Sequence, residues 1–331
     1  MFRGARAWLL SIALFGCEPM ADPDWIAARL AEAHDRDTAA RAAHTASGER
    51  MRWTLEVVAP DGTSEVVPYA TLASMPRTEV TTIEPDEPTH PTVRFSGVRA
   101  LDVVRRVNGE HANDLTVLAS DGFRATIQMD DVRLFPIVIA LDANGAPLER
   151  DHGGPLYAVF PYTEHPELAE RYTPSTWVYY VTHVLVGTAP PSLRVGGRTL
   201  GPSELAGLPH ASLHVEVGYR NGWPSEPVLV QGVRVRDVLA FASTPVTPES
   251  RVRVLSRARI TRGDERPTLI RGSDVLDEDV LLALSYGDTS EPIPSRLGGP
   301  IALAFPTSVA AHQSDHDWLT FVDELAIEAA R

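Results

Sequence analysis

At 331 residues the chain is long for a single hydrophobic core, so two domains are the natural expectation. Hydrophobic residues at 44% and charged residues at 22% describe a globular protein and exclude a disordered one. The net charge of −14 argues against a nucleic-acid partner, whose phosphates need a basic face, and all 30 Lys-plus-Arg positions are Arg, which excludes lysine Schiff-base chemistry.

The chain opens on MFRGARAWLLSIALFGC, with Arg3 and Arg6 ahead of an apolar run from Trp8 to Phe15. A short apolar run behind a basic head predicts an export signal over residues 1–17, too short to span a bilayer. Leu14-Phe15-Gly16-Cys17 resembles the lipobox of bacterial lipoproteins, and Cys17 is the only Cys in the chain. That resemblance implies lipidation of Cys17 and firm anchoring of an exported protein in the bacterial envelope. Glu18 in place of Asp after the Cys favours the outer membrane under the lipoprotein sorting pattern. The alternative is an ordinary signal peptide with an incidental Cys. Residues 18–50 are expected to form a helical spacer, because Asp22–His44 has a capping Asp and an Ala-rich interior.

Beyond residue 50 the sequence repeats itself. LASMP (Leu72–Pro76) returns as LAGLP (Leu205–Pro209), and VRFSGVRALDVV (Val93–Val104) returns as VLVQGVRVRDVL (Val228–Leu239). HGGPLYAVFP (His152–Pro161) returns as LGGPIALAFP (Leu297–Pro306), and each unit closes on a Trp-led segment predicted as a strand, from Trp177 and Trp318. These blocks, repeated in one order, predict a tandem duplication, residues 51–187 and 193–331. The join lies in GTAPPSL (Gly187–Leu193), where paired prolines stiffen the chain. Alternation at Trp53–Val58, Leu115–Ala119, Ala125–Met129 and Val252–Leu255 predicts strands, and short helices are expected at residues 99–107 and 234–242. The expected fold class is α+β, mostly β, occurring twice.

The order of the blocks resembles the molybdopterin-binding domain of the sulfite oxidase family. The first unit supplies FSGVRALDVV, ASDGFRATIQMDDV, IALDANGAPL, HGGPLYAVFP and TWVYYVTHV, over roughly residues 53–187, and the second unit carries a weaker version. The resemblance implies a molybdopterin cofactor and an oxidoreductase. The departures concern chemistry. In that family a Cys thiolate binds the metal, whereas the matching segments here, RTEVTTIEPDE and ASLHVEVGYRNGW, hold no Cys. Tyr157 stands where the family has Arg, and Thr176 where it has Lys. The loop the family uses for the pterin phosphate offers Arg171 against Glu164, Glu167 and Glu170.

Asp121, Gly122, Arg124, Asn144, His152, Gly153 and Gly154 remain at positions the family uses for its cofactor, and they are the candidate binding residues. The competing reading makes Asp-Gly and Asn-Gly hairpin turns and Gly-Gly-Pro the lead-in to a strand. His152 is the strongest candidate, because turn geometry does not demand an imidazole. His312 and His316, four apart beside Asp315 and Asp317, are weak metal candidates, as are His210 and His214 with the same spacing; on a helix such pairs chelate zinc or copper. The aromatic-rich segment Phe160–Tyr180 is a candidate ligand or partner surface. No cofactor is expected, molybdopterin being the alternative, and catalytic residues remain unassigned. Three readings stay open: a lipid-anchored module binding a small ligand or an envelope protein, a molybdopterin-dependent oxidoreductase using the first unit, and a metal-binding envelope protein.

Overall fold

The computed structural model describes residues 46–85, 89–218, 222–257, 260–261, 264–265, 267–313 and 317–328. Cys17, the predicted signal, the helix expected at 22–44, Asp315 and His316 lie outside the described residues. Residues 50–331 form one compact unit. Among the described residues no helix is long and apolar enough to cross a membrane.

The first ten strands are β1 (Thr54–Val58), β2 (Ser64–Pro68), β3 (Thr78–Ile83), β4 (Thr92–Arg99), β5 (Asp114–Ala119), β6 (Arg124–Gln128), β7 (Val138–Ala143), β8 (Ala146–Pro147), β9 (Tyr157–Val159) and β10 (Val181–Val186). They form two sheets. One has the order β2-β1-β10-β5-β6, with β1 and β10 parallel and the remaining pairs antiparallel. The other runs β3-β4-β7-β8, with β9 also on β7. The helices are short, with Ala100–Arg105 and Met129–Leu134 each beginning where a strand ends.

The same plan follows a second time. It uses β11 (Leu193–Val195), β12 (Arg198–Leu200), β13 (His210–Val215), β14 (Val228–Arg234), β15 (Arg251–Ser256), β16 (Ile260–Thr261), β17 (Asp264–Glu265), β18 (Thr268–Arg271), β19 (Leu281–Tyr286), β20 (Glu291–Pro292), β21 (Ala302–Ala304) and β22 (Val322–Glu328). Its sheets run β12-β11-β22-β15-β18 and β13-β14-β19-β20, with β21 on β19. Again the central pair, β11 with β22, is parallel. Even the polar couple on that pair recurs: Glu56 faces His183 in the first half, and Arg194 faces Glu324 in the second.

Alternation explains the burial. Leu55 and Val57 of β1 are buried while Glu56 is half-exposed, as period-2 side chains require. Each half has its own core, one drawn from residues 53–186 and the other from 193–325. A small third cluster joins them, with Phe321 of the second half packed among Val58, Leu118 and Leu185 of the first.

The expected Trp-led strands are corrected. Each strand starts four residues after its Trp, at Val181 and Val322. The cause is local, since Tyr180 and Phe321, directly ahead of the strands, both take φ of about +54°, a left-handed conformation that ends regular extension. Trp177 and Trp318 are buried in the two cores instead. Met129 likewise belongs to the helix after β6 rather than to the strand.

Beside the parallel strands, His183 is buried, with Nε2 3.4 Å from Glu56 Oε2 and Nδ1 2.9 Å from Thr182 Oγ1. The hydrogen bond with His183 holds the Glu56 carboxyl down at about 2, against the opposing pull of burial. A folded-state value below the unfolded one contributes stability that is complete above the unfolded value and is lost as pH falls toward 2. Urea midpoints are therefore expected to drop between pH 5 and pH 2.5, with Glu56 contributing about 1–2 kcal/mol after allowance for its partial exposure. In His183→Gln that drop should shrink. An unchanged acid profile in the variant would count against the pairing.

Candidate functional site

The Gly-Gly-Pro turn organises the region beneath His152. Arg150–His152 is a 3-10 turn, Gly153 follows at φ +79°, and Gly154-Pro155 is a cis peptide. A Cβ on Gly153 would lie 1.8 Å from Tyr179 Cδ1, and one on Gly154 would lie 2.3 Å from the Leu148 carbonyl oxygen. The second half repeats all of this at Gly298, Gly299 and cis Pro300. Positive φ and a crowding side chain at Gly153 and Gly298, and close backbone approach at Gly154 and Gly299, account for the glycines in both copies.

Below the turn the interior is filled by side chains. Thr82 and Glu84 continue the inward alternation begun by Val80 on β3, and all three are buried. Glu84 Oε1 accepts hydrogen bonds from Tyr157 Oη at 2.8 Å and Tyr179 Oη at 3.2 Å. The two phenol rings stack with centroids 4.2 Å apart, and Trp177 meets Tyr157 edge-on at 5.4 Å. Burial, and then the charge of Glu84, push the Tyr157 phenol far above its ordinary range, so it stays a donor. Glu84 lies within RTEVTTIEPDE, the segment where the resemblance expects the metal-binding thiolate. Sequence reasoning passed over it, although the alternation Val80, Thr82, Glu84 points all three inward.

The other predicted residues are placed at four separate features. Asp121 and Gly122 make the β5–β6 turn, where Asp121 Oδ1 accepts from Phe123 N at 2.9 Å and Gly122 has φ +90°. Asn144 makes the β7–β8 turn on the other sheet, with Oδ1 accepting from Arg94 N at 3.1 Å. His152 is exposed, its Nδ1 3.1 Å from Asp151 Oδ1. Arg124 is buried against the second half, donating from Nε to the Arg296 carbonyl at 3.1 Å, with its guanidinium 5.8 Å from the Phe321 ring centroid.

The His210/His214 pair is not spaced as on a helix. His210 and His214 lie on β13, where residues four apart are separated by about 13 Å, not by one helical turn. His312 is buried and stacked on Phe305 at 4.7 Å, and its carbonyl accepts from Trp318 Nε1 at 3.0 Å. Among the described residues no group of three His, Cys, Asp or Glu is arranged to hold a metal.

A cleft of about 500 Å³ opens beside β6. Its walls include Arg124 and Gln128 from β6, Asp131 from the following helix, Arg171 from the end of the Glu167–Arg171 helix, and Ser175 and Thr176 from the 3-10 turn before Trp177. Asp131 is buried; Arg171 Nη1 pairs with its Oδ1, and Tyr172 Oη donates to its Oδ2 at 2.5 Å. Tyr172 Oη in turn accepts from Gln128 N at 3.0 Å.

Comparison with known proteins adds the lineage. Residues 43–164 match the family model described as oxidoreductase molybdopterin binding domain. Among solved structures, the sulfane dehydrogenase SoxCD from Paracoccus pantotrophus matches at 15% identity, covering 67% of this chain and 62% of that one, with a TM-score of 0.33. The chain thus spans less than two thirds of that structure's length. No protein of curated function matches. Over residues 43–164, within the mostly-β first half, the chain is thus similar to the oxidoreductase molybdopterin binding domain.

Proposed function

We propose that the protein is a lipid-anchored envelope module, tethered through Cys17, whose two molybdopterin-binding-type halves arose by duplication and bind a small ligand or a partner without performing catalysis. The observation that carries this reading is Glu84. A carboxylate held by two phenols stands in the segment where a soft thiolate is required. The residues around it do not fit a molybdenum pterin. Hard oxygen donors replace sulfur, Tyr179 fills the space over Gly153, Arg124 is bonded to the second half, and Arg171 is paired with Asp131. An anionic cofactor buried there would lack compensating charge. The repeated strand order and the matched glycine turns support duplication.

One observation favours a second reading, a molybdopterin-dependent oxidoreductase: the family model matches the first half. Metal and pterin analysis of the natively exported, full-length protein separates the two. The binding-module reading expects molybdenum far below stoichiometry. Molybdenum near one equivalent, retained through purification, would overturn it.

A further inference from the structure

The two halves meet at a join that holds a carboxyl without a full set of partners. A cavity of about 50 Å³ lies there, walled by Val58 and Leu185 from the first half, Ala189 from the connecting segment, and Arg257, Phe321 and Asp323 from the second half. Asp323 is on β22, with its side chain 18% exposed. Its Oδ1 is buried and, among the described residues, has no hydrogen-bond partner, while Oδ2 lies 3.4 Å from Arg194 Nη2. Four charged groups act on this carboxyl. Arg257, just after β15, and Arg194 on β11 attract its anion, whereas Glu324, next along β22, and Glu56, from β1 of the first half, repel it. Glu56 is in turn paired with His183 of β10. With two cations set against two anions, burial decides, and it pushes the Asp323 carboxyl above its ordinary range. The first half contributes a like group. Asp114 on β5 feels Arg296 of the second half, and burial pushes its carboxyl up as well.

We propose that the join is a pH-sensitive catch: the halves hold each other most tightly while Asp323 is protonated and part more readily once it has ionised. Parting the halves gives the carboxyl to water, so the joined state binds the proton more tightly than the parted one. The stabilisation of the join is complete below the ordinary carboxylate value and is lost as pH rises through the raised one. An ionised Asp323 in the joined state keeps one unbonded oxygen away from water. Glu56, held at about 2, stays ionised between pH 4.5 and pH 7 and adds no dependence in that window.

Hydrogen exchange of the full-length protein at pH 4.5 and pH 7, corrected for intrinsic exchange rates, tests the catch at the Ser295 amide. That amide belongs to the second half and donates to Thr188 Oγ1, at the start of the connecting segment, at 2.9 Å. Its protection is expected to be about threefold or more lower at pH 7, with amides in the middle of β1 and β14 unchanged. Asp323→Asn, which mimics the protonated carboxyl, should raise Ser295 protection at pH 7 and leave only the smaller response of Asp114 and His183. Arg257→Gln withdraws an attraction felt by the anion alone, so it should lower Ser295 protection at pH 7 and leave the pH 4.5 value near the parent's. Equal protection at the two pH values, a full response retained in Asp323→Asn, or a parallel fall in the β1 and β14 amides would each overturn the catch. Should Asp323→Asn fail to fold, Arg257→Gln decides, with equal effects at both pH values overturning it.

Discussion

Gly97→Ala and Gly232→Ala are each expected to abolish stable folding of the half that contains them. Both glycines sit where a strand bulges against its neighbour, β4 on β7 and β14 on β19. A Cβ on Gly97 would lie 2.2 Å from the Ile139 carbonyl oxygen, and one on Gly232 would lie 1.9 Å from that of Leu282. These neighbours are backbone atoms in the middle of a sheet, so no rotamer change relieves the contact. Separating them would stretch ladder hydrogen bonds and open both cores, at a cost of about 4 kcal/mol or more. The comparison between the two variants is more informative than either alone. The cores are distinct and, among the described residues, meet apolarly in a small cluster around Phe321, so Gly232→Ala should leave residues 51–187 protected in hydrogen exchange while the second half exchanges freely. Global loss of protection in both variants would show that neither half stands without the other. Full stability of either variant would show that the sheet yields at the bulge.

These same glycines were legible in the sequence as members of a repeated block, though their reason was not. Gly97 and Gly232 recur because a main chain passes close on one side, and Gly154 and Gly299 recur for a related cause. A repeat states that two positions answer the same demand without naming it. Strand positions were legible wherever one face is buried and the other wet, as at Leu55, Glu56 and Val57. The approach from Trp177 to β10 was not, because its four residues are as apolar and aromatic as a strand, and only the left-handed turn at Tyr180 breaks it. Candidate binding residues fared differently again. Asp121 and Asn144 carry a family's pattern and a turn's pattern in the same letters; Asp121 accepts a local bond from Phe123 N within its turn, and Asn144 accepts one from Arg94 N on the neighbouring strand β4. Arg124 could not be placed from sequence, since its carbonyl partner, Arg296, lies 172 residues away. Glu84 is the instructive miss. A search for missing sulfur marks its segment as empty, whereas the alternation along β3 marks it as occupied.

That occupancy leads to the second large effect. Glu84→Leu roughly keeps the volume and removes the carboxylate that accepts from the buried Tyr157 phenol and the half-buried Tyr179 phenol, so both lose that bond at once. Each stranded hydroxyl costs about 1–3 kcal/mol, and the variant is expected to lose about 2–4 kcal/mol in urea denaturation. Glu84→Gln retains a carbonyl oxygen at the same place and exchanges charged hydrogen bonds for neutral ones, so its loss should stay near 1–2 kcal/mol. Tyr157→Phe removes one donor and leaves Tyr179 to serve Glu84. If the carboxylate and Tyr157 form one unit, the double variant Glu84→Gln/Tyr157→Phe should cost less than the sum of the singles by about 1–2 kcal/mol. Additive costs would mean that the 2.8 Å bond carries little energy. Glu84→Leu as stable as the parent would mean that the pocket tolerates an apolar plug, leaving the carboxylate without a structural reason to be there. The ordering Leu, then Gln, then parent follows from one physical fact: a hydroxyl cut off from water needs an acceptor, and in this core the acceptor is Glu84.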